Sequence, residues 1–88
     1  MTPDLGAPRD PVESVYVLVR VKPTFELKVG EHLRKIKEAK EVHPLFGEYD
    51  FIIKVESGSH EDITRVILEK IRSQEGVAAT KTLIKTAF

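Results

Sequence analysis

Residues 46–55, F-G-E-Y-D-F-I-I-K-V, carry the strongest structural signal in the chain. Gly47 favours a tight reversal between two strands, because glycine adopts positive φ without steric cost. The alternate residues after it share one apolar face at a period of two: Tyr49, Phe51, Ile53 and Val55. The segment therefore predicts a hairpin turn followed by a half-buried strand. It also places a phenol and a carboxylate, Tyr49 and Asp50, together at the start of that strand, either as a chemical site or as ordinary packing and turn residues.

Three elements are predicted before this turn. Residues 14–22 predict a strand that is apolar on both faces, one of which carries Val15, Val17, Val19 and Val21. Residues 24–39 predict a helix with the Thr24 hydroxyl as its N-cap and an apolar stripe of Phe25, Val29, Leu33 and Ile36. Residues 41–46 predict a short strand, and Pro44, which cannot donate to a ladder, places it at a sheet edge.

A second helix and a last strand are predicted after residue 55. Ser59 is the expected N-cap, and the buried stripe consists of Ile63, Val66, Ile67 and Ile71, widened on one side by Leu68. Gly76 is placed to stop this helix in a left-handed conformation. Residues 77–85 then predict the fourth strand, with Thr80, Thr82 and Ile84 on one face.

The resulting order, β-α-β-β-α-β, predicts an α+β fold of the ferredoxin-like type, a four-stranded antiparallel sheet with two helices on one face. Residues 1–13 are proline-rich and aperiodic, so we expect a flexible N-terminal tail, followed by one domain over residues 14–88. The sheet face opposite the helices should be open, and it is predicted to carry Tyr16, Leu18, Ile52 and Ile84. Because an open apolar face usually marks an interface, we predict dimerisation through the sheet, as a dimeric α+β barrel.

Composition narrows the classes of function. The 88 residues include 14 basic and 14 acidic side chains, so the chain lacks the basic field that non-specific nucleic-acid binding needs. The absence of cysteine excludes disulfides, thiolate metal sites and cysteine nucleophiles. No apolar run approaches the length of a membrane span and no signal peptide is recognisable, so we expect a cytoplasmic protein without membrane contacts.

Two motifs resemble a known family. They are Gly47-Glu48-Tyr49-Asp50 before the third strand and the fourth-strand segment G-V-A-A-T-K-T over residues 76–82. Together they resemble the effector-binding (RAM) domain of the Lrp/AsnC transcription regulators, from Val15 to about Ile84. The resemblance implies a domain that dimerises through its sheet, assembles into rings, often octamers, and binds small effectors, mostly amino acids, where dimers meet. The helix-turn-helix of that family is missing here, so we expect a stand-alone domain without direct nucleic-acid contacts.

The resemblance also implies the residues of a binding site. The pocket of the family is bordered by the turn before the third strand and by the fourth strand, which carries over to Gly47, Tyr49, Asp50, Thr80 and Thr82. Asp50 would pair with the ammonium of an amino acid, while amides around Gly47 and the threonine hydroxyls suit its carboxylate or side chain. Tyr49 would wall the pocket. Each residue keeps an ordinary alternative role in a turn, a core or a strand.

Other functions are compatible with this fold. Small monooxygenases and isomerases share the dimeric barrel, so a small enzyme of that type is the alternative. However, His32, His43 and His60 show no ligand or catalytic spacing, and we expect neither a metal nor a cofactor. An RNA-recognition motif lacks support because the basic context is absent, and an ACT-like regulatory domain lacks the G-x-Y-D turn. We therefore predict a non-enzymatic, amino-acid-binding oligomer that acts alone or with a full-length Lrp/AsnC regulator.

Overall fold

The computed structural model describes residues 13–84, which alternate strands and helices in the predicted order. The elements are β1 (Glu13–Val21), α1 (Glu26–Arg34), β2 (Ala39–Pro44), β3 (Phe51–Ser57), α2 (His60–Val66), a π-helical turn (Ile67–Ile71) and β4 (Val77–Leu83). The predicted tail, residues 1–13, falls outside the described residues except for Glu13, which begins β1. Between residues 13 and 84, no helix is long and apolar enough to cross a membrane.

The sheet confirms the predicted ferredoxin-like α+β fold. Its strands lie in the order β2-β3-β1-β4, and every neighbouring pair is antiparallel. β1 is central, because Val17 pairs with Ile53 of β3 on one side and with Thr82 of β4 on the other. β2 lies at an edge, as Pro44 indicated.

The helices cover one face of the sheet. Val17 and Val19 of β1 are fully buried beneath them. The core also contains the predicted helix stripes and the alternate residues of β3: Val29, Leu33, Ile36, Phe51, Ile53, Val55, Ile63, Val66, Ile67 and Ile71. Gly30 allows α1 to approach the sheet closely, since a Cβ on it would lie 3.1 Å from Phe51 Cζ. Periodicity therefore identified this core correctly, although Phe25 is only partly buried and Leu68 is exposed.

The opposite face of the sheet, called the open face below, carries no helix from the described residues. Tyr16, Leu18 and Ile52 are half-buried on it, as predicted. The prediction for Ile84 is wrong. Leu83 pairs with Tyr16 and therefore occupies the open face, while Ile84 lies on the helix side. The register of β4 against β1 decides which residues of β4 lie on each face of the sheet. A shift of one residue would move every side chain of the strand to the other face.

The beginning of α1 also differs from the prediction. Thr24 does not cap the helix; it has φ +74° and lies in the turn before it. The Phe25 N–H donates to the Lys22 carbonyl at 3.1 Å, and Pro23 precedes Thr24, as in a type II turn. Phe25 is the N-cap without a side-chain hydrogen bond, and the helix ends at Arg34, earlier than the predicted residue 39. Thr24 therefore occupies the third position of this turn, where it has a positive φ that β-branched residues rarely adopt.

The second helix begins as predicted and ends differently. Ser59 Oγ accepts the Asp62 N–H at 3.1 Å, which confirms the cap. The last turn is π-helical, with the Arg72 N–H donating to the Ile67 carbonyl at 2.8 Å. The helix thus stops at Arg72, before Gly76. Gly76 does have positive φ, +99°, but a Cβ on it would lie 2.6 Å from Phe25 Cδ2, so its role is to admit that ring.

Candidate functional site

The turn between β2 and β3 is the first part of the predicted site. Gly47 has φ +125° and is exposed, with open space around its Cα. The Leu45 N–H donates to the Asp50 carbonyl at 2.8 Å and closes the loop across the turn. Glycine at this point is required by the backbone conformation. The exposed loop leaves the surface around Gly47 accessible to a ligand or to another chain.

Asp50 connects the turn to the central strand β1 through two hydrogen bonds. Its Oδ2 accepts the Val21 N–H at 2.7 Å, and its own N–H donates to the Val19 carbonyl at 2.8 Å. These bonds lie beside the register shift between Arg20 and Val21, where β1 changes its pairing with β4. The Val21 N–H points to the β3 side of β1, beyond the first residue of β3, so the carboxylate satisfies an amide that has no ladder partner there. Within residues 13–84, Oδ1 has no hydrogen-bond donor, so half of the carboxylate remains for a cation.

Tyr49 lies on a different side from the one predicted. Its ring centroid is 5.6 Å from Cζ of Arg20, a cation–π distance. Arg20 is exposed and alternates with the buried Val19, so Tyr49 belongs to the end of the open face rather than to the face of Phe51. The prediction failed because β3 begins only at Phe51, and a period of two does not extend into a turn.

Thr80 and Thr82 form the second part of the site. They pair with Val19 and Val17, so both lie on the helix side of β4. They line a cavity of about 370 Å³ between β4 and the second helix, called the β4 groove below. Its other lining residues are Val15, His60, Ile63, Thr64, Ile67, Leu68, Arg72 and Ile84. An apolar floor with three hydroxyls and two basic side chains suits a small ligand that has both an apolar part and an acidic group.

The two parts of the predicted site are separate within one chain. Phe51 and Thr80 both pair with Val19, from opposite sides of β1, which sets them about 10 Å apart. Gly47, Tyr49 and Asp50 do not line the β4 groove. The structure thus brings the two threonines together but does not bring the turn to them.

Sequence analysis missed Arg72 as a groove residue. Thr64, Leu68 and Arg72 line the groove at intervals of four residues, and Ile63, Ile67 and Ile71 are buried at the same interval. An α-helix with 3.6 residues per turn would carry Arg72 away from this line. The π-helical turn holds more residues and keeps the two rows aligned. The repeated spacing of four was the signal that could have identified the π turn.

The histidines take part in surface contacts. His32 Nε2 donates to the Lys70 carbonyl at 2.6 Å, and His43 and His60 each approach a glutamate, Glu41 and Glu13, at 3.2 Å. The described residues contain no cluster of three or more groups that would hold a metal ion.

An ion pair joins the segment between α1 and β2 to the π-helical turn. Lys70 Nζ lies 3.0 Å from Glu38 Oε1, and this hydrogen bond lowers the pKa of the Glu38 carboxyl below its usual value. Together with the bond from His32 to the Lys70 carbonyl, it ties the π turn to the end of α1.

A family model described as the Lrp/AsnC ligand binding domain matches residues 14–86. The chain belongs to this family. The resemblance that the two motifs indicated is therefore confirmed. Both motifs, in the β2–β3 turn and in β4, lie within the matched residues.

Individual relatives agree with this assignment. An uncharacterised HTH-type transcriptional regulator of Pyrococcus furiosus is 34% identical over 74 residues, which are 81% of this chain and 49% of the regulator. The chain thus spans about half the length of the curated relatives that it matches first. The crystal structure of FFRP-DM1 has a TM-score of 0.80 and 34% identity, with 84% of this chain and 99% of that chain covered.

A third neighbour was solved with a ligand. It is a transcriptional regulator from Neisseria meningitidis in complex with L-Met, with a TM-score of 0.70 and 17% identity over 80% of this chain and 47% of that chain. At this identity the likeness concerns the fold.

Proposed function

We propose that this Lrp/AsnC domain binds a free amino acid at a site formed by two copies, where the turn of one copy meets the β4 groove of another. The separation of the two parts carries the proposal. Gly47, Tyr49 and Asp50 lie on one side of β1, and Thr80 and Thr82 line a groove on the other. A second copy is needed to bring a turn to a groove.

The turn suits the polar end of an amino acid. Asp50 has one carboxylate oxygen engaged by the Val21 N–H, and the other is available to an ammonium. Exposed backbone around Gly47 offers amides to a carboxylate. The bond to Val21 also holds Asp50 in place before a ligand arrives, which lowers the entropic cost of binding.

The groove suits the side chain of the ligand. Its floor is formed by Ile63, Ile67 and Val15, all buried in the core. Thr80 and Thr82 add hydroxyls at the wall. The regulator from Neisseria meningitidis, which contains a domain of this fold, was solved in complex with L-Met, and this supports an amino acid as the class of ligand.

Assembly begins at the open face in this proposal. Tyr16, Leu18, Ile52 and Leu83 give it an apolar centre, and packing two such faces together yields the dimeric α+β barrel. Dimers then combine into a larger ring, in which turns and grooves of neighbouring dimers meet. We infer no catalytic role for the chain, since its relatives reported above are transcription regulators.

The binding proposal is tested by thermal unfolding of the purified protein with each common amino acid at millimolar concentration. A ligand that binds only the folded state at a hundredfold excess over its Kd stabilises by about 2.7 kcal/mol. We expect one or a few amino acids to raise the melting temperature. No shift with any of them would overturn the proposal.

Two substitutions at Asp50 separate binding from folding. Asp50→Asn keeps an oxygen for the Val21 N–H but removes the charge, so the protein should stay folded and lose the ligand-induced shift. Asp50→Ala also leaves that amide unpaired and should destabilise the free protein by about 1–3 kcal/mol. Asp62→Asn, the same change at a residue paired with Arg65 on the surface of α2, is the matched control and should keep the shift.

In this proposal, the binding of an amino acid affects DNA through a partner protein. We infer that the domain joins assemblies of an Lrp/AsnC regulator that has its own DNA-binding part, and alters the response of that regulator. Native mass spectrometry of the protein mixed with a full-length family regulator from the same organism should detect mixed oligomers. Exclusively separate homo-oligomers at all mixing ratios would contradict this role and leave amino-acid binding as the function.

A further inference from the structure

Arg72 brings a positive charge to the β4 groove, at the end of the π-helical turn. Between residues 13 and 84, its exposed side chain takes part in no ion pair and no hydrogen bond. His60 is the other ionisable lining residue, and its Nε2 lies 3.2 Å from Glu13 Oε1. His60 is therefore already engaged, whereas the Arg72 guanidinium can interact with a ligand that enters the groove.

The acidic residues around Arg72 do not compensate its charge. None of the described residues that line the groove is acidic. The acidic residues nearest to Arg72 in sequence are Glu69 and Glu75. Glu69 lines a separate cavity beside the end of α1, and Glu75 Oε1 accepts from Lys28 Nζ at 2.9 Å. A groove with an uncompensated arginine attracts an anionic side chain and repels a cationic one.

Hydroxyl groups lie across the groove from the helix. The chain reverses between Arg72 and Val77, so β4 runs back along the second helix. Thr80 therefore lies nearer than Thr82 to the Arg72 end of the groove. A guanidinium and a hydroxyl both donate hydrogen bonds to a carboxylate oxygen. A carboxylate at this end would receive donors from the helix and from the strand.

The floor of the groove requires an apolar part in the same ligand. Ile63 and Ile67 line it and are buried in the core. Polar atoms placed against such a floor lose hydrogen bonds to water, whereas methylene groups gain contacts. A short hydrocarbon stem that ends in a carboxylate satisfies both the floor and Arg72.

We propose that the β4 groove selects an amino acid with an acidic side chain, aspartate or glutamate, and that Arg72 determines this specificity. The inference deepens the proposed function and rests on it: the turn takes the ammonium and the α-carboxylate, and the groove takes the side chain. Arg72 and Thr80 bind the side-chain carboxylate, while Ile63 and Ile67 contact the methylenes. Asparagine and glutamine have the same shape without the charge and bind more weakly.

The test is isothermal titration calorimetry of the full chain with L-glutamate, L-aspartate and the two corresponding amides. At least one acid should bind about tenfold or more tightly than its amide, because charge-assisted hydrogen bonds are roughly twice as strong as neutral ones. The preference should shrink from about 0.1 M to about 1 M ionic strength, where the Debye length falls from about 10 Å to about 3 Å. A preference based on shape alone would not respond to salt in this way.

Variants at one position assign the preference to Arg72. Arg72→Gln should remove the difference between the acid and its amide while the amide still binds. Arg72→Glu should favour L-lysine over L-glutamate. Because Arg72 is exposed, both variants should keep the melting temperature of the free protein. Arg65→Gln is the matched control: Arg65 lies on α2 outside the groove, with its Nη1 2.9 Å from Asp62 Oδ1, and the change should leave the preference intact.

Failure of this specificity and failure of amino-acid binding give different results. A neutral or basic amino acid that binds as tightly as both acids, or an acid preference that survives in Arg72→Gln, would overturn the inference and leave the proposed function standing. Glutarate, which is glutamate without its ammonium, tests the opposite case. If no amino acid binds, but glutarate binds to the unchanged protein and not to Arg72→Gln, the charge preference of the groove stands and the amino-acid function is wrong. Absence of binding by all of these probes would overturn both.

Discussion

The two faces of the sheet are made by the same strands, yet they differ in composition and in what they stabilise. On the covered face, Val17, Val19 and Ile53 are fully buried, and no polar or charged residue is buried anywhere in residues 13–84. On the open face, half-buried apolar residues alternate with charges, and Lys54 lies 3.4 Å from Glu56 and 3.9 Å from Glu41. The covered face holds the single chain together, and the open face is the surface that we propose as the dimer interface.

The charged residues of the open face form ion pairs around Lys54. The Glu56 carboxylate beside Lys54 raises the pKa of that ammonium above its usual value, with smaller contributions from Tyr16 and Glu41. The basic side chain stays charged next to the apolar residues of the face. Apolar contacts supply most of the free energy of an interface, whereas such charges select the partner and its register.

Truncation of one leucine on each face should show the largest contrast. Leu33→Ala removes a fully buried side chain and should cost about 3–4 kcal/mol of unfolding free energy, because it leaves a cavity. Leu18→Ala on the open face should cost less than about 1 kcal/mol in the separated chain, because this side chain is only half-buried there. Urea denaturation at low protein concentration measures both. Equal losses would mean that the open face is packed within the single chain.

Gly76→Ala should lower the free energy of unfolding by disturbing the packing of Phe25 beside the covered face. A Cβ there would meet Phe25 Cδ2 at 2.6 Å, and the backbone has φ +99°. Left-handed backbone and overpacking together should cost about 3 kcal/mol. Gly58→Ala is a suitable control, since nothing lies within 4 Å of its Cβ position and its φ is not positive. A Gly76→Ala protein as stable as the unchanged one would disprove the close contact with Phe25.

Leu18→Glu should affect assembly rather than folding. Leu18 pairs with Ile52 at the centre of the open face, so a carboxylate there would be buried without a partner in a dimer. We expect loss of about 2 kcal/mol or more of association free energy and a solution mass close to a single chain. Leu27→Glu on α1 should leave the mass unchanged. A stable Leu18→Glu dimer would place the interface elsewhere.

The smallest effect concerns pH and the ion pair at the rim of the covered face. Lys70 lowers the pKa of Glu38 in the folded state, so the pair stabilises the fold above the unfolded pKa of about 4.3 and the effect disappears as pH falls through the lowered pKa. Glu38→Gln should therefore cost less than about 1 kcal/mol at pH 7 and nothing near pH 2. Melting temperatures at both pH values test this, with Glu61→Gln as the exposed control. A cost that persists at pH 2 would show that packing, and not charge, is responsible.

Local patterns predicted the elements and the core. The valines of β1, the stripes of both helices, the edge position of β2 and the Ser59 cap all follow from properties of neighbouring residues. The binding-site residues were placed by family resemblance, and the structure shows them in two groups that one chain does not join. Arg72 was missed because a π turn changes the helical period after Ile67.

Sequence alone determined the order of the strands and helices and most residues of the covered face, because hydrophobic periodicity and capping act within a few residues of the chain. Tertiary structure decided the rest. The pairing of Tyr16 with Leu83 turned Ile84 toward the groove, and the Phe25 ring above Gly76 accompanies the strained turn at Thr24. The Val21 N–H donates a hydrogen bond to one carboxylate oxygen of Asp50, which leaves only the other oxygen for a ligand. Each of these outcomes depends on residues far apart in the chain, whose register and contacts exist only after the sheet has formed.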